Sequence, residues 1–173
     1  MKLIKIIFTT ALLLFCFQGS SISEIRYVDF KYVLNESKAG KEAQVYLKKK
    51  LENGVKNLKE KEKAIQQEEK KIIQQKKLIS AEEYKKQVTS LREKVSSLQT
   101  ERDNLLDKVA KQRSKARTEL LKNLNPIIKD YMKEKNVRLV LDKKSILLAD
   151  EKLNITKEIT QLLNKKLKSI KLN

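Results

Sequence analysis

Six lysines, Lys70, Lys71, Lys76, Lys77, Lys85 and Lys86, fall in three adjacent pairs. Their ammonium groups are point charges that attract carboxylates and phosphates through fields screened over about 8 Å at physiological salt. That is chemistry of recognition; no bond is made or broken. The rest of the chain offers little else. It has no histidine, so it lacks the usual general base, the commonest metal ligand and any Ser-His or Cys-His pair. Glycine occurs only at positions 19, 40 and 54, too few and too scattered for a phosphate-cradling loop. The expectation is a non-enzymatic protein with no cofactor and no metal, working without ATP. The bland reading of any one of these lysines is a solvated helix face.

The formal charge is +18, with 36% charged and 5% aromatic residues, a composition of solvated helix more than of a compact enzyme. Residues 1–23 contain Lys2 and Lys5 and no acid, so +16 remains on the rest. Those first residues have the pattern of a secretory signal. A positive start precedes the apolar run Ile6 to Phe17, and small Ser21 and Ser23 suit cleavage before Glu24. Phe15 stands where a lipid-attachment signal would need a small residue before Cys16, so simple cleavage is expected. Cleavage removes the only cysteine, leaving an exported, soluble chain stabilised by packing alone.

The lysine pairs are carried by two heptad-patterned stretches. Leu51, Leu58, Ile65, Ile72 and Ile79 recur every seven residues, a coiled-coil seam. The neighbouring row turns polar at Glu62, Glu69 and Lys76, so the buried stripe is narrow. Ser80-Ala81-Glu82-Glu83 has capping-box spacing and opens a second helix. Its seam is Tyr84, Val88, Leu91, Val95, Leu98, Leu105 and Val109, interrupted by Arg102 and Gln112. The cap favours an antiparallel hairpin over one continuous rod. Each limb, about 40 residues long, then reaches roughly 60 Å. Gly54 is either a flex point or merely tolerated, and Asn125-Pro126 marks a kink or a fresh helix start.

Flanking segments supply a body. Glu24 to Phe30 reads as a strand, Val137 to Asp142 and Ser145 to Ala149 as two more in a hairpin turning at Lys143-Lys144, and a last helix starts near Asn154. Its core face is Ile155, Ile159, Leu162, Leu163, Leu167 and Ile170. The fold class is therefore α+β and mostly helical: a small mixed body (24–38 and 120–173) with a short sheet, and a long antiparallel coiled-coil arm (39–119). So small a body is marginal alone, which points to an obligate homo-oligomer with its sheet completed between subunits. The candidate interface is Ile25, Tyr27, Val28, Val137, Leu139, Val140 and Leu141.

The order of these features resembles the Skp/OmpH family of periplasmic chaperones. The resemblance rests on Tyr27-Val28-Asp29, Ser37-Lys38-Ala39-Gly40-Lys41, Leu124-Asn125-Pro126-Ile127-Ile128, Val137-Arg138-Leu139-Val140-Leu141-Asp142, Ile146-Leu147-Leu148-Ala149 and Asn154-Ile155-Thr156. It runs over nearly all of residues 24–173, but through packing motifs, which speak to fold more than to clients. Asn154 stands where the family commonly has aspartate, and Gly54 also departs from the pattern. The resemblance implies a periplasmic trimer whose arms hold unfolded outer-membrane proteins without nucleotide hydrolysis. An anionic membrane surface is a further partner class for the lysine pairs. A structural coiled-coil spacer is the competing reading. Nucleic acid is not expected as a partner, given export and the lack of aromatic residues among the arm lysines.

Overall fold

The computed structural model describes residues 24–172. Strand β1 (Glu24–Val28) leads through helices α1 (Phe30–Glu36), α2 (Lys38–Gln75) and α3 (Ala81–Glu134) to strand β2 (Val137–Asp142), and the chain closes with helix α4 (Thr156–Lys166). Residues 1–23, which carry the expected export signal, lie outside the described residues.

β1 and β2 pair in parallel, with Ile25 opposite Leu139 and Tyr27 opposite Leu141. Parallel neighbours need a long crossover, and here the whole arm provides it. The expected hairpin between β2 and residues 145–149 does not form. A two-residue β-turn needs left-handed backbone at its centre, which Lys143-Lys144 do not favour. Asp142 instead caps a 3-10 turn over Lys143–Ser145, its carboxylate accepting from the Lys144 amide at 3.2 Å. Residues 146–149 run on without regular structure, leaving Leu147 and Leu148 102% and 92% exposed.

Caps set the corners. Asp29 accepts from the Tyr32 amide at 2.8 Å to start α1, and buried Ser37 accepts from the Gly40 amide at 3.2 Å to start α2. Gly40 is needed there because a Cβ would overlap the Leu34 carbonyl. Asn136, with φ of 53°, takes the left-handed position that ends α3.

Pro126 neither kinks α3 into two elements nor begins a new helix; α3 runs through it. Pro126 is exposed, while Leu124, Ile127 and Ile128 beside it are buried. The body core gathers Val28, Val33, Ala39, Leu120, Leu124, Ile127, Ile128, Tyr131, Val137, Ile155, Ile159 and Leu163. α4 ends at Lys166, and Leu167 and Ile170 reach this core from the extended segment beyond it; Leu162 stays 36% exposed.

Candidate functional site

The arm is an antiparallel hairpin, as the Ser80 cap implies. Ser80 Oγ accepts from the Glu83 amide at 3.2 Å and opens α3. Two exposed ion pairs cross between the limbs, Lys61 Nζ to Glu101 Oε1 at 2.7 Å and Lys94 Nζ to Glu68 Oε1 at 2.6 Å. Between them the seam is thin. Leu58, Ile72 and Val109 are buried, Leu51, Ile65, Ile79, Leu98 and Leu105 are half-buried, and Val55 and Val95 lie open.

Gly54 is a contact point in that seam. A Cβ built on it would sit 2.5 Å from both terminal methyl carbons of Leu105. The missing side chain lets the opposite leucine lie against the α2 backbone, and the helix continues through position 54 without a break.

The distal end collects charge. Between Glu69 and Arg92 there are seven cations and three acids, and Lys70, Lys71, Lys76, Lys77, Lys85 and Lys86 are all exposed. The Lys76 ammonium lies 5.6 Å from the centre of the Tyr84 ring, near enough for a cation–π attraction.

Below this tip the two helices leave a shallow groove of about 440 Å³, lined by Glu69, Ile72, Ile73, Tyr84, Val88, Leu91, Arg92 and Val95. Ile73 is 60% exposed and Val95 51%. Heptad reading predicted Tyr84, Val88, Leu91 and Val95 as seam, but it did not anticipate an open apolar floor. The signal was in the sequence: Ile72 and Ile73 are adjacent, and one seam position cannot bury both. Charge for attraction and apolar surface for contact are thus side by side.

At the body, the expected interface residues divide. Tyr27, Val28 and Val137 lie inside the chain's own core and present almost no surface to a partner. Ile25 and Leu139 are half exposed, and Val140 and Leu141 are partly covered. Leu147 and Leu148 stand further out than any of these, although strand reading had placed them in a sheet. The outer edge of β1 is covered by the 154–156 segment: the Ile155 amide donates to the Tyr27 carbonyl at 3.0 Å, and the Asp29 amide donates to Thr156 Oγ1 at 2.9 Å. Among the described residues β2 has no strand neighbour other than β1, so its far edge is open.

Two phenols are buried in the body, Tyr131 on α3 and Tyr27 on β1 itself. Burial pushes the Tyr131 hydroxyl up from its usual range, and the Glu158 carboxylate, which accepts from it at 3.2 Å, pushes the same way. Tyr27 is raised as well, by burial and then by the nearby Glu151. Among the described residues no cluster of carboxylate, thiol or imidazole groups could hold a metal ion, and no helix is long and apolar enough to cross a membrane.

A two-stranded parallel body bearing one long helical hairpin with a basic, groove-bearing end defines a body-and-arm protein. The chain belongs to the family of OmpH-like outer membrane proteins, whose model matches residues 24–163. Its fold is also that of a crystal structure of an OmpH-like protein from Caulobacter crescentus CB15, a candidate outer membrane chaperone. That likeness has a TM-score of 0.81 at 20% identity and covers 88% of this chain and 90% of the other. No curated protein matches the sequence.

Proposed function

We propose that the protein is an ATP-independent periplasmic chaperone that holds unfolded outer-membrane proteins against its arm and keeps them from aggregating. The observation that carries this reading is the pairing of exposed lysines with an open apolar groove on a thinly packed arm. A holdase needs contacts that are many, weak and reversible, because tight binding would trap the client. Long-range charge raises the encounter rate, and short-range apolar contact sets the dwell time. Family membership supports a chaperone role, and the basic, seam-poor arm supports this way of working. Export by a cleaved signal in residues 1–23 completes the reading.

Stopped-flow capture of an unfolded outer-membrane protein separates the two parts of the site. Changing all six lysines to glutamine slows capture and flattens its decline with salt, while melting stays near that of the parent because exposed helix charges contribute little to folding. Ile73→Ser combined with Val95→Ser leaves the capture rate unchanged and speeds release. If the parent protein fails to suppress client aggregation, the holdase reading is withdrawn in favour of a coiled-coil spacer. Lost suppression on nucleotide depletion or chelation would equally overturn it. Capture of anionic vesicles alone would make the lysines a membrane contact.

The holding form is proposed to be a homo-oligomer, most simply a trimer, joined through the body. The open β2 edge and the exposed Ile25, Leu139, Leu147 and Leu148 form a surface that a second copy would cover. Leu147→Asp with Leu148→Asp should lower the solution mass to that of a single chain without unfolding it, since neither side chain is buried within the chain. An unchanged mass would place the interface elsewhere.

A further inference from the structure

The segment after α4 joins the body to the root of the arm. α4 is closed by the Leu167 amide donating to the Leu163 carbonyl at 2.8 Å, after which residues 167–172 run on in non-helical backbone. Leu167 packs against the body core. Ile170 touches both the body core and a second, separate cluster, and Leu172 is buried inside that second cluster. The second cluster lies at the root of the arm. Its other members are Ala43 and Leu47 from α2 and Ala116 from α3, so Leu172 meets both limbs at once. Lys168, Ser169 and Lys171, between the inward-facing residues, are exposed.

Gln112 explains the attachment. It interrupts the α3 seam where an apolar side chain was due, and its amide nitrogen donates to the Leu172 carbonyl. Its amide oxygen is buried and finds no hydrogen-bond donor among the described residues. A buried amide with one satisfied end holds the tail while favouring release, since water would satisfy the other end once the tail left. A few apolar contacts and one polar contact, set against the ordering of an extended segment, make a fastening that opens and closes.

We infer that residues 168–172 form a latch that fixes the angle of the arm to the body, seated by Leu172 in the slot between Ala43, Leu47 and Ala116 and tied by Gln112. With the latch seated, the arm root is braced by the body on both limbs. When it is released, the arm pivots at its root while the body core, which does not include Leu172, stays intact. The inference does not depend on what the arm binds.

The test measures the spread of distance between spin labels at exposed sites on the arm and the body, Gln66→Cys and Lys157→Cys, in a Cys16→Ser background. The labelled chain is diluted into an excess of unlabelled chain. The latched parent gives a narrow distribution. Leu172→Asp should broaden it about twofold or more, as expected for a freed local opening, with body melting unchanged. Deletion of residues 168–173 should broaden it as much while also lowering body melting slightly, because Ile170 packs on the body core. Leu172→Met should restore the narrow distribution, because it refills the slot with an apolar side chain of similar size. Equal widths for the parent, Leu172→Asp and the deletion would overturn the latch. So would a broad distribution in the parent itself.

Discussion

The body and the arm are made from the same kinds of residue and packed by opposite rules. In the body, Val28, Val33, Ala39, Leu124, Ile159 and Leu163 are 0% exposed and come from five different elements, so the core joins distant parts of the chain. In the arm the buried residues lie in single file, and ion pairs such as Lys61 with Glu101 replace breadth of packing. An exposed pair of that kind is worth only a few tenths to about 1 kcal/mol. The body is therefore where stability is concentrated. The arm is cheap to deform locally, which is the property a surface for irregular partners requires.

The largest effect should come from making that contrast explicit. Leu124→Ala removes a fully buried side chain from the meeting point of the body elements and should cost about 2–5 kcal/mol. Leu58→Ala, buried in the arm seam, should cost clearly less in global unfolding and should instead speed hydrogen exchange in the neighbouring turns. Denaturant melts and residue-level exchange of the two variants check this. Equal global losses would mean that arm and body unfold as one unit.

A smaller effect belongs to the body alone. An unfolded tyrosine ionises near pH 10, whereas Tyr131 and Tyr27 in the folded protein ionise at higher pH. Above about pH 10 the unfolded state loses protons first, so stability falls as pH rises through the folded values and is fully retained below that range. Tyr131→Phe should cost about 1 kcal/mol at neutral pH, by loss of the bond to Glu158, and should flatten the alkaline decline. A series of melts between pH 7 and 11 reads both. An equally steep decline in the variant would assign the alkaline loss to other groups.

The smallest effect sharpens the arm side. Gly54→Ala gains helix propensity of about 1 kcal/mol but meets the Leu105 methyl groups, so the two contributions should nearly cancel. In a Leu105→Ala background the obstruction is gone, and the same change should stabilise by about 1 kcal/mol. Melting of the four proteins in this cycle measures the coupling. A gain of the same size in both backgrounds would show that Leu105 swings aside at no cost.

Much of the arm was legible in the sequence because a coiled coil is a local code. A seven-residue period, the Ser80 cap and the two polar interruptions are read along one strip of chain, and the hairpin follows from them. Ile155, Ile159 and Leu163 were legible as core for the same reason, being spaced to share one helix face. What the period could not carry was contact across the hairpin: that Gly54 admits Leu105, or that Gln112 is polar because the Leu172 carbonyl comes to meet it from 60 residues away.

The body shows the same limit more sharply. Apolar runs at Glu24 to Phe30, Val137 to Asp142 and Ser145 to Ala149 look alike, and local reading made all three strands and the last two a hairpin. Tertiary structure decided otherwise. β2 finds its partner in β1, more than 100 residues earlier, because only the returning arm brings the two together in parallel. Among the described residues, 145–149 find no strand neighbour. Period and caps thus determined which residues form helices and which faces are apolar, since those depend on neighbours a few positions apart. Strand partners, the open groove and the seat of the C-terminal segment depend on which distant surfaces meet, and that was settled only when the chain closed on itself.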